Sequence, residues 1–589
     1  MLNQLAAYAH RHGIAIEPGY CPKSVRWAIW LNNAGQLIDL RELKAGENGD
    51  FPKCPDLRQN EMIAGGITRS HFLIDSIEVV VLFGAERLNE AKRTKINAKH
   101  EYFIELLEKA AEDFPVLKTC AEFLKSPDNL ADIQQRLAAS KASATDKITF
   151  QVDSEFPVAA SEWHDWWNKF RASLTEKSKS AASENQKRMR CFMSGEMTEP
   201  LKTHSKIKNL TAVGGQQSGC VLIGFDKEAF ASYGFTQSEN AAISEDAAAV
   251  YVNALNDLIQ KSDGPIAGTL MIYWYKEDVA AEDDPLNWIK GLLGGSEEDE
   301  IEALQRAQRL VTGIVEGKRP ELGTNTYYVA VISATGGRVM LRSWTEGSFV
   351  QLVESVTRWF EDFAIISRDG AGLAKDPKFY AILYSLVRKD LSELSPAFVA
   401  DMWKAALTGQ QIPHSALAIA LQRIRVEIID PDKLPNQARM GLIKAYHIRK
   451  ARFYGGECRL KPLLNEDHPS AAYQAGRLMA VLAAIQWKAQ GDVGAGIIQR
   501  YYAAASTTPA LIIGRLIRLS QFHLNKLNKG LANWYERLIR EISSKFGDGI
   551  PKVLDLEEQS LFALGYYQQM ADLYSKKEPV EVKEDQNNG

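Results

Sequence analysis

A chain of 589 residues exceeds one ordinary hydrophobic core, so two or three domains are expected. Hydrophobic residues make up 45% and charged residues 24%, an ordinary globular balance. A formal net charge of −4 excludes nucleic-acid wrapping by bulk positive charge, so any such role must lie in local basic faces.

In chain order, residues 2–12 read as a short amphipathic helix. Val25 to Leu31 alternates, Asn32-Asn33-Ala34-Gly35 turns and Gln36 to Leu40 returns, which predicts a β-hairpin. Residues 44–71 carry Gly, Pro and polar side chains and predict loop, with the donor-rich segment Ala64 to His71 as its notable part. The β-branched run Ile77 to Phe83 predicts a central strand. Helices are expected at 87–110, 112–125 and 127–140, the last entered through Ser126-Pro127-Asp128. Lys147 to Asp153 is strand-like. Residues 160–188 predict a helix in which Trp163, Trp166 and Trp167 have the i, i+3, i+4 spacing of a core stripe, followed by a Lys/Ser-rich piece.

After residue 242 the pattern predicts a helix at 243–262, a strand from Thr269 to Tyr275, an exposed acidic insertion at 277–300 and a helix at 298–316. Tyr327 to Ala334, Gly336-Gly337 and Arg338 to Trp344 make a second hairpin, its glycine pair suited to a primed turn. From Phe349 onward only helices are predicted: 348–366, 376–390, 396–408, 413–429 and 434–452, then 469–489, 494–505, 509–526, 529–546 and 555–574. Residues 576–589 have the composition of a disordered tail. The expected fold class is α+β. A mixed α/β N-terminal part with antiparallel hairpins (1–375) precedes a connecting helical region (376–462) and an all-α bundle (463–575).

Six cysteines are scattered without a C-x-x-C pair, which predicts free thiols in a reducing compartment. The N-terminal segment is too polar for a signal peptide, and no apolar run approaches the roughly 18 residues of a membrane span, so a cytoplasmic protein without membrane contact is expected. Motifs of catalysis are missing. Gly214 to Gly219 lacks the Lys and Ser/Thr of a phosphate-binding loop, His10 and His12 point apart on a helix, and no zinc-hydrolase, deaminase or serine-hydrolase signature occurs. No catalytic residue, metal or cofactor is expected.

The least ordinary stretch runs from Arg190 to Ser244. Lys202, His204, Lys206, Lys208 and Asn209 supply cations and donors, and Gly214-Gly215-Gln216-Gln217-Ser218-Gly219 forms a turn lined by amides and a hydroxyl. Cys220 to Phe225 reads as a short buried strand, and Phe230, Tyr233 and Phe235 follow among Ser232, Gly234, Gln237 and Asn240. Glycines admit close backbone approach, lysines meet phosphates, amides read base edges and aromatics stack or wedge.

This stretch resembles the signature of the large subunit of the type I-C CRISPR interference complex (Cascade). The matching elements are Cys191 to Glu196, His204 to Lys208, Gly215 to Gly219 and Phe225 to Ser244. The opening helix leading to Val25-Arg26-Trp27, and Arg342 to Gly347, agree as well. The resemblance implies a non-catalytic subunit that inspects the protospacer-adjacent motif (PAM) in duplex DNA and supports R-loop formation. Its implied partners are target double-stranded DNA, the displaced single strand, CRISPR RNA, the backbone, guide-5′-end and small subunits, and the helicase-nuclease. The expected PAM or duplex contacts are Thr68, Arg69, His71, Lys206, Lys208, Gln216, Gln217, Ser218 and Asn240.

Single-stranded DNA is expected elsewhere. Arg500 to Lys545 hold eight Lys or Arg against two acids. Helical spacing places Arg515, Arg518, Lys526, Lys529, Arg537 and Arg540 away from the apolar stripes, as a phosphate track. A second enrichment, Arg423 to Lys461, holds ten Lys or Arg against four acids. Two other readings stand beside this one. Magnesium-dependent cleavage of a plasmid by the chain alone would favour a DNA-cleaving enzyme, and absent or salt-insensitive DNA binding would favour a scaffold.

Overall fold

Alternation in the first hairpin is realised as strand pairing. In the computed structural model, which describes residues 1–15, 19–44, 46, 48–57, 69–181, 188–290, 303–375, 377–430, 435–491 and 496–575, Trp27–Leu31 pairs antiparallel with Leu37–Glu42. The chain divides into two units, Met1–Ile207 with Val221–Asp257, and Lys208–Cys220 with Leu258–Gly589.

The first unit opens with α1 (Leu2–Arg11), followed by β1 (Tyr20–Ser24), β2 (Trp27–Leu31), β3 (Leu37–Glu42), β4 (Asp50–Pro55) and β5 (Asp75–Ser76). Next come α2 (Ile77–Val80), α3 (Glu90–Ala110), α4 (Val116–Lys125), α5 (Pro127–Ala139), β6 (Lys147–Val152), α6 (His164–Ala181), β7 (Met189–Arg190), β8 (Met197–Thr198) and α7 (Glu245–Gln260), which belongs to this unit through Asp257. The main sheet has the order β3-β2-β6-β5, with β2 and β6 parallel. Its core joins Trp27, Ile29, Ile148 and Phe150 to Phe103, Leu107 and Phe123 of the helices. Trp163 and Trp167 are fully buried, and Trp167 stacks on Phe72 at 5.6 Å, as the stripe predicts.

Three expectations are corrected. The run Ile77 to Phe83 is not a central strand: the ladder ends at Ser76, Ile77–Val80 makes one helical turn, and Leu82 follows at φ 56. His100 Nδ1 and Gln134 Nε2 donate to the carbonyls of Val79 and Val81 in place of a neighbouring strand. A continuous apolar run signals burial, but it has no period that separates strand from helix. The predicted loop at 44–71 contains β4, which pairs antiparallel with β1 despite Pro22, Pro52 and Pro55; strand prolines are tolerated in such an outlying ribbon. The insertion at 277–300 is not wholly exposed. Tyr273 and Tyr275 donate to Asp284 at 2.8 and 2.5 Å, Lys290 meets Asp263 at 2.5 Å, and Pro285–Lys290 is buried except at Asn287. Residues 291–302 and the tail 576–589 lie outside the described residues.

The second unit contains β9 (Leu270–Tyr275), α8 (Pro285–Lys290), α9 (Ala303–Val315), α10 (Pro320–Gly323), β10 (Thr326–Thr335) and β11 (Arg338–Ser348), in a sheet ordered β11-β10-β9. Gly336 and Gly337 have φ of 54° and 87°, the left-handed pair a primed turn requires. Ser348 and Gln351 form a capping box that starts α11 (Phe349–Phe363). Helices follow as α12 (Phe379–Leu386), α13 (Pro396–Thr408), α14 (His414–Glu427), α15 (Gln437–Tyr454), α16 (Ala471–Gln490), α17 (Ile497–Ala505), α18 (Pro509–Leu524), α19 (Lys529–Ser543) and α20 (Leu556–Ser575). One hydrophobic core runs from Val329 and Phe349 through Trp359 and Trp403 to Leu478 and Tyr567. The fold is therefore α+β, with small sheets towards the N-terminus and helices beyond.

Candidate nucleic-acid interface

The sequence signature is shared between the two units. His204 to Ile207 and Val221 to Ser244 belong to the first, and Lys208 to Cys220 to the second. Each piece has its own geometry.

In the first unit several polar side chains are engaged internally. His204 is buried and its Nδ1 lies 2.7 Å from the Tyr251 hydroxyl on α7; burial pushes its pKa down to about 4, so the ring is neutral and not a surface cation. Lys206 is half-buried beside fully buried Ile207. Asn240 donates from Nδ2 to the carbonyls of Phe230 and Gln237 at 2.9 and 3.0 Å. Both of its donors hold the loop together. Cys191 to Glu196 forms the turn of the β7–β8 hairpin, whose Cys191 amide donates to Glu196 O at 2.8 Å. Thr68 lies outside the described residues, and Arg69 is half-buried. The His71 amide donates to Asp75 Oδ2 at 2.8 Å, and its ring sits 3.7 Å from Asp56 Oδ1. Burial pushes the His71 ring down to about 4.

Val221 to Phe225 forms no strand, which corrects the expectation for Cys220 to Phe225. Cys220 is buried in the second unit and the next five residues are half-buried in the first. Phe225 instead turns its ring against Phe230, edge-on at 5.4 Å. Burial of an apolar run does not require a ladder.

In the second unit the glycine turn is pressed onto the β10–β11 hairpin. A Cβ at Gly214, which has φ 92°, would lie 2.5 Å from the Ala334 carbonyl. Gln216 Oε1 lies 3.1 Å from where a Cβ of Gly337 would stand. Glycine is required at Gly214, where the obstacle is backbone, and favoured at Gly337 by its left-handed φ of 87°. The Gly219 amide donates to Gln216 O at 2.9 Å and closes a four-residue turn. Gln216, Gln217 and Ser218 are exposed on it, and Lys208 is exposed at its start. The hairpin tip at Gly337 meets this turn although it lies over 100 positions away in sequence, and no local signal connects the two.

The two basic enrichments, alike in sequence, differ in space. Between Arg423 and Lys461 the cations are largely engaged within the fold. Arg439 meets Glu427 at 2.7 Å, Arg423 also pairs with Glu427, and Lys450 pairs with Glu557. Arg449 and Arg452 share Asp362 at 2.8 and 2.7 Å, and buried Lys444 donates to the Glu361 carbonyl at 3.3 Å. Burial lowers the Lys444 pKa to about 8. These residues hold α11, α14, α15 and α20 in place and do not form a phosphate track.

On α18 and α19 the cations face solvent. Ile513, Leu516, Ser520 and Leu524 bury one side of α18, leaving Arg515 and Arg518 exposed, with Lys526 exposed in the turn that follows the helix. Tyr535, Ile539 and Ile542 bury α19, with Leu531, Trp534 and Leu538 half-buried beside them, leaving Lys529, Arg537 and Arg540 exposed. Leu519, on the same helix, is 37% exposed. Among the described residues the only carboxylate within ion-pair reach of these six is Glu541, 3.8 Å from Arg537 on the surface. Both helices pack against α16.

These features define an α+β protein of two units, with a glycine turn seated on a hairpin tip and solvent-facing cations on its late helices. The family model described as CRISPR-associated protein (Cas_Csd1) matches residues 2–574, and the chain belongs to that family. No curated protein matches the chain. Among the described residues no helix is long and apolar enough to cross a membrane.

Proposed function

We propose that this CRISPR-associated chain is the non-catalytic large subunit of an RNA-guided DNA surveillance complex. In that role it inspects the PAM in target duplex DNA, supports R-loop formation and recruits the helicase-nuclease. Guide pairing reads the target sequence and the protein reads the short motif. The observation that carries the reading is the contrast in cations. A family member of net charge −4 leaves Arg515, Arg518, Lys526, Lys529, Arg537 and Arg540 solvent-facing while the cations from Arg439 to Arg452 are engaged within the fold. CRISPR RNA, the backbone, guide-5′-end and small subunits, and the helicase-nuclease are the partners this role requires.

The glycine turn is the base-reading element of the proposal, because its exposed amides stand on a rigid support. Changing Gln216 and Gln217 to Ala in the assembled complex should weaken binding to PAM-bearing duplex by about 1–3 kcal/mol for each base edge no longer read. PAM-less duplex should be affected less. Equal weakening on both DNAs in a titration would assign the turn to backbone positioning, and no change on either would remove it from the site.

The late helices hold the displaced strand in this reading. Changing Arg515, Arg518, Arg537 and Arg540 to Gln should leave folding intact, since the buried sides of both helices are untouched. The slope of log affinity against log salt for single-stranded DNA should become shallower by up to about 0.7 for each phosphate no longer neutralised. An unchanged slope would mean that the face is only solvated.

A further inference from the structure

All six cysteines are free, and two of them face each other across a strand pair. Cys21 on β1 and Cys54 on β4 are register partners in the antiparallel ribbon; none of the other four lies in a strand. The Asp56 amide donates to the Gly19 carbonyl at 2.8 Å, and Pro55, opposite Tyr20, has no amide proton to give. Bonding alternates along such a ladder, so Cys21 and Cys54 are a hydrogen-bonded pair with Cα atoms about 5.5 Å apart. Disulfides are most often found at Cα separations of about 5.5–6 Å. Cys21 is half-buried and Cys54 fully buried, so a small reagent meets Cys21 first. Burial, with the Asp56 carboxylate nearby, pushes the Cys21 thiol up to about 12, and burial pushes Cys54 up to about 11. Both rest as protonated thiols at neutral pH, and they react slowly.

We infer that Cys21 and Cys54 are a reversible redox pair, closed by a low-molecular-weight disulfide into a cross-strand bridge between β1 and β4. Cys21 gives its proton to water, and its sulfur attacks one sulfur of oxidised glutathione, releasing one reduced glutathione and leaving a mixed disulfide. Cys54 then loses its proton and attacks the Cys21 sulfur, expelling the second glutathione. Two protein thiols are oxidised, and one glutathione disulfide is reduced to two thiols. Opposed Cβ atoms in a ladder stand about 4.5–5.5 Å apart, whereas a disulfide holds them at about 3.8 Å, so the ribbon must tighten to close. A bridge closed under strain is readily reduced again, as regulatory disulfides are and structural ones are not. The tightening acts beside Asp56, whose carboxylate lies 3.3 Å from Lys23 Nζ and 3.7 Å from the His71 ring.

The test equilibrates the folded full-length protein in glutathione buffers of rising oxidised fraction, quenches in acid, unfolds, alkylates and maps the peptides by mass. As the oxidised fraction rises, two of the six thiols should escape alkylation and a peptide joining Cys21 to Cys54 should appear. Dithiothreitol should restore both thiols. Cys54→Ser should lose the joined peptide and leave Cys21 carrying glutathione; the wild-type measurement stands even where that variant fails to fold. Glutathione on wild-type Cys21 with Cys54 still alkylated would overturn the inference, because the pair then fails to close. Six alkylated thiols in the most oxidising buffer would overturn it too, as would a joined peptide that pairs either residue with another cysteine. A bridge that dithiothreitol leaves intact in the folded protein would make it a structural bond and sink the reversible role.

Discussion

Replacing Asp362 with alanine should destabilise the second unit by about 3–5 kcal/mol, because it leaves a buried guanidinium without its counter-charge. Arg449 is fully enclosed and its Nε donates to Asp362 Oδ2 at 2.8 Å. Its Nη1 donates to the carbonyls of Ala405 and Gln410 at 2.6 and 3.3 Å, so a residue on α15 is bound to α11, to α13 and to the turn after it. Trp359 and Phe363 approach the same guanidinium at 5.4 and 6.0 Å, which leaves water little access. Burial pushes the Arg449 pKa down and Asp362 pushes it back up. Arg452 also binds Asp362 but is partly exposed and loses less when the carboxylate is removed. A denaturant titration of Asp362→Ala should therefore show a large fall in midpoint. Adding Arg449→Met should recover part of the stability by removing the stranded charge. A wild-type midpoint in the single variant would show that Arg449 finds adequate solvation without Asp362.

The second large effect concerns the crossing of α16 and α20. A Cβ on Gly476 would lie 1.9 Å from the Phe562 carbonyl oxygen, and one on Gly565 would lie 2.2 Å from that of Tyr473. Both obstacles are backbone atoms, so they can yield only if the helices part. Parting would break a buried polar ladder. Tyr473 donates to Gln568 at 2.5 Å, Gln568 donates to the carbonyls of Lys461 and Pro462 at 2.9 and 3.1 Å, and Arg477 donates to Gln569 at 2.9 Å. In a free helix Gly→Ala gains about 1 kcal/mol. Here overpacking, which costs about 1–3 kcal/mol and sometimes more, should reverse the sign. Each of Gly476→Ala and Gly565→Ala is expected to destabilise by about 3 kcal/mol, the upper end of that range. Gly514 supplies the control, being exposed on α18 with nothing within 4 Å of a Cβ. Gly514→Ala should raise the unfolding midpoint slightly while the other two lower it. A rise in all three would mean that the helices separate without cost.

Neither of these sites stands out in the sequence. Gly476, Gly514 and Gly565 are all glycines inside helical patterns, and nothing local separates the two that face a backbone from the one that faces water. Arg449 and Arg518 likewise sit in two basic runs of similar appearance, yet one is sealed against Asp362 and the other faces solvent. The glycine turn was legible as glycine-rich and amide-bearing. Its seat on Gly336-Gly337 was not, because the packing joins segments over 100 residues apart.

What the sequence determined by itself is what short-range chemistry controls. Alternation with a turn specified the hairpins at 27–42 and 326–348, caps and a 3.6-residue period specified the helices from Ser126 onward, and the Trp163–Trp167 spacing specified a buried stripe. Motif spacing over most of the chain specified the CRISPR-associated family. Tertiary structure alone decided the rest. It turned Ile77–Val80 into a helical turn, drew His204 inside against Tyr251, engaged the donors of Asn240 and divided the signature between two units. It also sorted the cations into engaged and solvent-facing groups. The physical reason is that a side chain's charge and size are properties of the residue, whereas its burial and its counter-charge belong to whichever distant element packs against it.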